Sequence, residues 1–107
     1  MMNQVAQSRM PISPETLADF CRKWGIAKLE IFGSILRDDY RPESDVDLLY
    51  TPAAQSRWGL GFVRLRAELE GLMGKRVDLV AREAVERSRN PIRRQAILST
   101  AQVLYEA

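Results

Sequence analysis

The spacing of apolar residues changes along this chain, and each change predicts where a helix or a strand lies. The first helical run places four apolar side chains on one face, at Leu17, Phe20, Cys21 and Trp24. Ser13 and Pro14 supply an N-cap and a first-turn proline before this run, and Gly25 follows it as a stop. The sequence therefore predicts a first helix between Ser13 and Gly25.

Short apolar runs bounded by turn residues follow this helix. Three of them are predicted to be strands, at residues 27–32, 45–50 and 75–81. Between the first two strands we expect a short helix from Ser34 to Arg37 or Asp38, and then a loop at residues 39–43. Residues 51–56 are predicted to form a turn that resembles a linker.

Two further helices are predicted in the second half of the chain. The longer one has apolar side chains at Trp58, Phe62, Leu65, Leu69 and Leu72. Gly71 and Gly74 are expected to end it. Asn90 and Pro91 are a cap and first-turn proline for the last helix. Residues 103–105 are predicted either to form a strand or to remain helical.

The length of the chain limits how these elements can be organised. Its 107 residues are enough for one domain with a modest core and too few for a separate substrate domain. We predict a flexible N-terminal tail at residues 1–12 and one domain at residues 13–107. The order of elements predicts an α/β (α+β) fold, in which a small mixed sheet has helices packed on one face.

Composition excludes several classes of function. The net charge is +2, far below that of a dedicated nucleic-acid binder, so direct nucleic-acid binding is not expected. Cys21 is the single cysteine, which excludes an internal disulfide and suits a reducing cytoplasm. The absence of histidine excludes histidine-based catalysis and histidine metal ligands. No apolar run approaches the ~20 residues of a membrane span, so we predict a cytoplasmic protein without membrane association.

Two polar motifs interrupt the apolar strands. Gly33 and Ser34 directly follow the first strand, where backbone N–H groups and a hydroxyl can hold a phosphate. Asp45 and Asp47 are two positions apart in the second strand, so their side chains face the same way, about 7 Å apart. Two carboxylates at this spacing can share hard cations. Together these motifs predict nucleotide chemistry.

A third carboxylate, Asp78, lies in the third strand, which we expect to neighbour the second. Alternation places Asp45 and Asp47 on one face of the second strand and Val46 and Leu48 on the other. In the third strand, it makes Val77 and Leu79 point away from Asp78. Three carboxylates on one open sheet face repel one another without a cation. We therefore expect a site that either holds metal or is strained.

The motif Gly33-Ser34-x-x-Arg37 followed by Ser44-Asp45-x-Asp47 resembles the signature of the nucleotidyltransferase superfamily that includes DNA polymerase beta. The short chain is most similar to the minimal nucleotidyltransferase (MNT) domains of prokaryotes. Residues 75–80 fall where the family has its third carboxylate, and residues 90–106 resemble the usual MNT ending. Many members have glycine where this chain has Asp38; aspartate tolerates turn conformations, so we interpret it as a variant.

The resemblance implies a nucleotidyltransferase fold and a role for each motif residue. The implied catalytic and metal-binding residues are Asp45, Asp47 and Asp78. The implied nucleotide- and phosphate-binding residues are Gly33, Ser34, Arg37 and Ser44. In the family interpretation the carboxylates hold two Mg²⁺ ions, and Asp78 acts as ligand, general base or both. Arg37 could equally pair with Asp38 or Asp45.

The resemblance also implies a biological role. Stand-alone MNT proteins resemble antitoxins that transfer AMP from ATP to a tyrosine of a HEPN-type ribonuclease toxin and thereby silence it. A binding antitoxin without catalysis is the first alternative, and a nucleotidyltransferase acting on RNA or on a small molecule is the second. The complete carboxylate set favours the enzyme over the binding antitoxin. The lack of an acceptor-binding domain disfavours the second alternative.

Each of these residues also has an ordinary structural interpretation. A Gly-Ser pair after a strand is by itself a common turn, and Asp78 alone could be an exposed residue at a sheet edge. The functional interpretation depends on the motifs occurring together in this order. Five arginines near the C-terminus are interpreted as a solvated face, with a partner-binding or nucleic-acid role as the alternative, at Arg82, Arg87, Arg89, Arg93 and Arg94.

Overall fold

The computed structural model describes residues 9–54, 56 and 58–107, which form one four-stranded sheet with helices. The elements in chain order are α1 (Pro14–Trp24), β1 (Ile26–Phe32), a 3₁₀ turn (Gly33–Leu36), β2 (Val46–Pro52), α2 (Gly61–Met73), β3 (Val77–Ala81), α3 (Arg82–Glu86), α4 (Pro91–Thr100) and β4 (Gln102–Glu106).

The sheet is mixed, as predicted. Its strand order is β3-β2-β1-β4, with β1 antiparallel to both β2 and β4, and β2 parallel to β3. A parallel pair needs a long crossover, which α2 supplies between β2 and β3. The predicted α/β (α+β) fold class is confirmed. Of the two conformations left open for residues 103–105, the strand is the one observed.

Helix α1 forms where its capping residues predicted it. The Ser13 hydroxyl accepts a hydrogen bond from the backbone N–H of Thr16, and Pro14 occupies the first turn. Gly25 ends the helix in the left-handed region, with a φ of 71°. Its capping N–H donates to the carbonyl of Cys21. The apolar face of α1 packs on the sheet.

Other element boundaries differ from the predictions. Strand β2 continues through Pro52, so Thr51 and Pro52 are not in a turn. Helix α2 begins at Gly61 and ends at Met73 with Gly74 as its C-cap, so Trp58 precedes it and Gly71 lies inside it. The indole of Trp58 instead donates to a backbone carbonyl of α1, that of Trp24, at 2.7 Å. Helix α3 was not predicted, because its five residues are too few to show an apolar period.

Apolar side chains form two clusters, one on each face of the sheet. The larger cluster joins α1 and α2 to the strands and includes Leu17, Phe20, Leu29, Leu48, Leu65, Leu69 and Val77. The smaller one joins α3 and α4 to the opposite face and comprises Phe32, Leu49, Val85 and Ile97. The prediction that helices pack on one face of the sheet holds for α1 and α2. The structure adds α3 and α4 over part of the other face.

Part of the predicted N-terminal tail contacts the domain. Residues 1–8 lie outside the described residues. The guanidinium of Arg9 donates to the carbonyls of Ile35 and Arg37, at 2.8 and 2.9 Å, and Met10 and Ile12 pack against the larger cluster. Residues 9–12 therefore belong with the domain. Within the described part of the chain, no helix is long and apolar enough to cross a membrane.

A buried ion pair ties β1 to the start of α3 across β2. Glu30 is 4% exposed, and both of its carboxylate oxygens lie 2.6 Å from Nη1 of Arg82. Arg82 also donates through Nε to Glu86. The hydrogen bond and charge of Glu30 raise the pKa of Arg82 above its ordinary value. A buried carboxylate of this kind depends on its partner, because a single buried charge is strongly unfavourable.

We predict that Arg82→Met lowers the free energy of unfolding by about 3 kcal/mol, because it leaves Glu30 buried without a partner. The double change Glu30→Met with Arg82→Met should restore most of that loss. Arg87→Met breaks the exposed ion pair with Glu83 and should cost less than about 1 kcal/mol. Urea unfolding measures all three. Equal losses in the single and double variants would contradict the prediction.

Candidate active site

Two of the predicted carboxylates are neighbours across the sheet. Asp47 on β2 and Asp78 on β3 are register partners in the parallel pairing, and Phe32 on β1 is the antiparallel partner of Asp47. Their neighbours Val46, Leu48 and Val77 belong to the larger cluster on the opposite face. The alternation predicted from sequence is therefore confirmed, and both carboxylates lie on the face shared with α4.

Gly33 begins the 3₁₀ turn directly after β1 and lies against Asp47. Its φ of +84° is in the left-handed region, which disfavours any residue with a Cβ atom. A Cβ added there would lie 2.2 Å from Oδ2 of Asp47. Backbone and space thus both require glycine at this position. The backbone of the 3₁₀ turn at Gly33 therefore lies directly beside the Asp47 carboxylate.

The third carboxylate, Asp45, is less closely held. It precedes β2 by one residue and is exposed, as is Asp78, whereas Asp47 is half-buried. Among the described residues, no three acidic, cysteine or histidine side chains are gathered as a preformed metal site. Of the predicted triad, Asp47 and Asp78 form a register pair, and Asp45 lies just before the start of β2. Their oxygen-only donor set is nevertheless the kind that Mg²⁺ prefers.

Burial and like charge both act on Asp47. Burial raises the pKa of the Asp47 carboxyl, and the charges of Asp78 and Asp45 raise it further. The Arg37 guanidinium and a backbone hydrogen bond from Ser34 lower that pKa in part. Ionised Asp47 therefore carries a free-energy cost in the folded chain that a bound cation would relieve.

A cavity of about 840 Å³ lies above the carboxylate pair. Gly33, Arg37, Asp47 and Asp78 line it from the sheet and the 3₁₀ turn. The opposite wall is helix α4 and the start of β4, with Arg93, Ala96, Thr100 and Gln102 among the lining residues. The cavity therefore brings four of the predicted site residues together and adds a wall that the sequence analysis did not predict.

The remaining predicted residues, Ser34, Ser44 and Asp45, are not among those that line this cavity. Ser34 is half-buried in the 3₁₀ turn, where its carbonyl accepts from the Arg37 N–H at 2.9 Å. Ser44 is half-buried, and its N–H donates to the carbonyl of Arg41. Nε of Arg37 donates to Asp39 at 3.1 Å, so its observed partner is neither Asp38 nor Asp45.

One signal in the sequence could have identified the α4 wall. Arg93, Ala96 and Thr100 are spaced at i, i+3 and i+7, which places a cation, a small residue and a hydroxyl on one face of the helix. The apolar positions of α4 did not reveal this face, since only Ile97 in the helix is buried. That the face lies above Asp47 depends on how α4 packs on the sheet.

Comparison with known proteins identifies the family. The family model of the nucleotidyltransferase domain matches residues 14–103. The chain therefore belongs to the nucleotidyltransferase domain family, and its activity is transfer of a nucleotidyl group. A Methanocaldococcus jannaschii protein, provisionally named a protein adenylyltransferase, is 33% identical over 79 residues, which cover 74% of this chain and 80% of the relative. Protein adenylyltransferase MntA of Thermococcus cleftensis is 34% identical over 60% of this chain and 64% of its own length.

Solved structures agree with this assignment. A structure described, provisionally, as a minimal nucleotidyltransferase is 33% identical, with a TM-score of 0.62 over 82% of this chain and 85% of that one. A toxin–antitoxin structure with AMP-PNP shares the fold, with a TM-score of 0.65 at 19% identity over 90% of this chain and 75% of that one. The predicted nucleotidyltransferase fold is thus confirmed.

We predict that Gly33→Ala reduces nucleotidyl transfer strongly, because the new methyl group must displace the Asp47 carboxylate. Gly74→Ala is the matched control. Gly74 also has a left-handed φ, +67°, but a Cβ added there would have no atom within 4 Å. Both variants should lose about 1–2 kcal/mol of unfolding free energy from backbone strain. Radiolabel transfer from ATP should fall in Gly33→Ala alone; equal activity in the two variants would refute the prediction.

We predict that Asp47→Asn raises the free energy of unfolding at neutral pH in the presence of EDTA. The raised pKa means that ionised Asp47 destabilises the folded chain, so the gain should be full above that pKa. The gain should shrink as the pH falls through the raised pKa of the folded chain, and it should be lost below the ordinary value of 3.8, where the carboxyl is protonated in both the folded and the unfolded state. Asp38→Asn, at an exposed loop position, is the control. Urea titrations at several pH values test this, and a pH-independent difference would argue against it.

Proposed function

We propose that this chain transfers AMP from ATP to a tyrosine hydroxyl of a HEPN-type ribonuclease toxin and thereby acts as its antitoxin. The observation that supports the proposal most directly is the register pair of Asp47 and Asp78 beside the Gly33 turn. Relatives named as protein adenylyltransferases support the reaction. A structural neighbour described as an AMPylated HEPN toxin with its MNT antitoxin supports the acceptor.

The carboxylates fit a magnesium-dependent reaction. Asp45, Asp47 and Asp78 provide only hard oxygen ligands, and their mutual repulsion favours a bound cation. In this proposal they would hold Mg²⁺, which would supply positive charge to the phosphates of ATP and to the departing pyrophosphate. Asp47 and Asp78 have their positions set by the sheet. Asp45 would complete the set from the position just before β2.

The 3₁₀ turn is the proposed phosphate-binding element. Gly33 has no side chain, so the terminal phosphates of ATP can approach the backbone N–H groups of the turn closely. The Ser34 hydroxyl and the Ser44 region would add hydrogen bonds beside it. Arg37 follows the turn and lines the cavity, where its guanidinium would contact a phosphate in exchange for its exposed pairing with Asp39.

The transfer step requires one bond to form and one to break. The tyrosine oxygen bonds to the α-phosphorus of ATP while the bond from that phosphorus to the bridging oxygen of the β-phosphate breaks, and pyrophosphate leaves. Asp78 lies beside Asp47 on β3 and is exposed to the cavity. We assign it as the group that accepts the hydroxyl proton as the oxygen attacks.

We predict that Asp78→Ala lowers AMP transfer by about 10²–10⁴-fold, as expected for loss of a positioned acid–base group. Binding of Mg·ATP should largely remain, because Asp45, Asp47 and the Gly33 turn are intact. The measurements are co-expression with the toxin, intact-mass analysis of the toxin for added AMP, and ATP binding by calorimetry.

A matched control distinguishes the enzyme from a binding antitoxin. Glu43→Ala removes an exposed carboxylate from the nearby loop and should leave transfer unchanged. The binding alternative expects Asp78→Ala to neutralise the toxin at equal stoichiometry with no added mass. Full neutralisation of an unmodified toxin would overturn the proposed function.

A further inference from the structure

We propose that the acceptor protein docks along helix α4, with an acidic residue near its acceptor hydroxyl bound by Arg93 and an adjoining apolar side chain seated in the hollow behind it. This inference rests on the proposed function and names the chemistry of the acceptor surface. We call this surface the acceptor groove and define it by Arg93, Ala84, Val80 and Ile97.

Arg93 lies where two depressions of the surface meet. It lines the cavity of about 840 Å³ above Asp47 and Asp78. It also lines a second hollow of about 180 Å³, whose other lining residues include Val80, Ala84, Val85 and Ile97. Ile97 is shared by both depressions. A peptide segment with its hydroxyl at the carboxylate pair would therefore pass Arg93 and reach an apolar hollow.

The order of strands indicates which side the acceptor approaches from. Gly33 ends β1, Asp47 lies on β2 and Asp78 on β3, so these residues follow one another across the sheet. If the terminal phosphates lie at the Gly33 turn, the in-line geometry of phosphoryl transfer places the attacking oxygen on the far side, toward β3. The hollow lies on that side, since Val80 belongs to β3 and Ala84 to α3.

Among the described residues, Arg93 has no side-chain partner, whereas Arg82, Arg87 and Arg94 have one. Arg89 is also unpaired, but it lines neither of the two depressions. Arg82 is bound by Glu30 and Glu86, and Arg87 by Glu83. Arg94 donates to the carbonyl of Ser88 at 2.8 Å. Among the described residues, the guanidinium of Arg93 contacts no acceptor or acid, and it is exposed. An exposed cation beside an active site matches a carboxylate on the docking molecule.

Charge and shape favour a protein over RNA in this groove. The carboxylates of Asp47 and Asp78 face the same cavity and would repel a chain of phosphodiesters. The hollow behind Arg93 is lined mainly by aliphatic side chains, and its size suits a single aliphatic side chain of a peptide.

The first test replaces Arg93 with neutral glutamine. Arg93→Gln should raise the KM for the toxin by about tenfold, with kcat and the Kd for Mg·ATP changed less than about twofold. Arg93→Lys should restore part of the affinity, because it keeps the charge. Arg64→Gln removes an equal charge from the exposed face of α2 and is the control. An equal loss of Mg·ATP affinity in Arg93→Gln would assign Arg93 to the nucleotide and overturn the inference.

A second variant tests the hollow without altering charge. Ala84→Phe should fill it, because Ala84 is exposed at its rim, and should raise the toxin KM with little effect on folding. A single-stranded RNA oligonucleotide is added as a competitor. RNA binding that is lost in Arg93→Gln, together with an unchanged toxin KM, would assign the groove to RNA and refute the protein acceptor.

Toxin binding measured by calorimetry separates the two proposals. If the wild type transfers AMP and Arg93→Gln has the same KM for the toxin as the wild type, the proposed acceptor groove is wrong and the proposed function stands. If the wild type binds toxin without transfer and Arg93→Gln binds about tenfold more weakly, the function is wrong and the groove stands. A wild type that neither modifies nor binds the toxin would overturn both.

Discussion

The register between β2 and β3 is the constraint on which the candidate site depends. Asp47 and Asp78 are partners in this parallel pairing, so the hydrogen bonds of the sheet hold two like charges side by side. The backbone positions that carry the two carboxylates cannot separate without shifting a strand whose other face is packed in the core. Burial raises the pKa of Asp47, and the repulsion that the folded chain retains raises it further. A cation or a nucleotide bound with one relieves it.

The alternation of side chains along β2 serves the core and the site together. Val46 and Leu48 are buried against α1 and α2, while Asp47 between them faces the cavity. A one-residue slip would bury the carboxylate and expose the two apolar side chains, so burial itself protects the register. The Glu30–Arg82 ion pair adds a tie across β2, from β1 to the residue that follows β3.

Local sequence patterns predicted the elements whose ends are marked by caps or glycine. The caps of α1 and α4 and the last turn of α2 at Gly74 formed as expected. The predictions were wrong where a distant contact decided the conformation. Trp58 lies four residues before Phe62, as on one face of a helix. Its indole nevertheless donates to the carbonyl of Trp24, a residue far away in the sequence. Helix α3 is too short for its apolar residue to reveal a period.

The sequence by itself determined which residues share a face and where the backbone must turn. Both follow from local geometry, because strand side chains alternate and a left-handed position such as Gly33 disfavours a Cβ atom. The tertiary structure alone decided that Asp78 lies opposite Asp47, that Arg37 pairs with Asp39 and that α4 forms the far wall of the cavity. The pairing of β2 with β3 and the packing of α4 join residues far apart in the chain, whose contacts depend on how the whole core packs, and the partner of Arg37 depends on the conformation of an irregular loop.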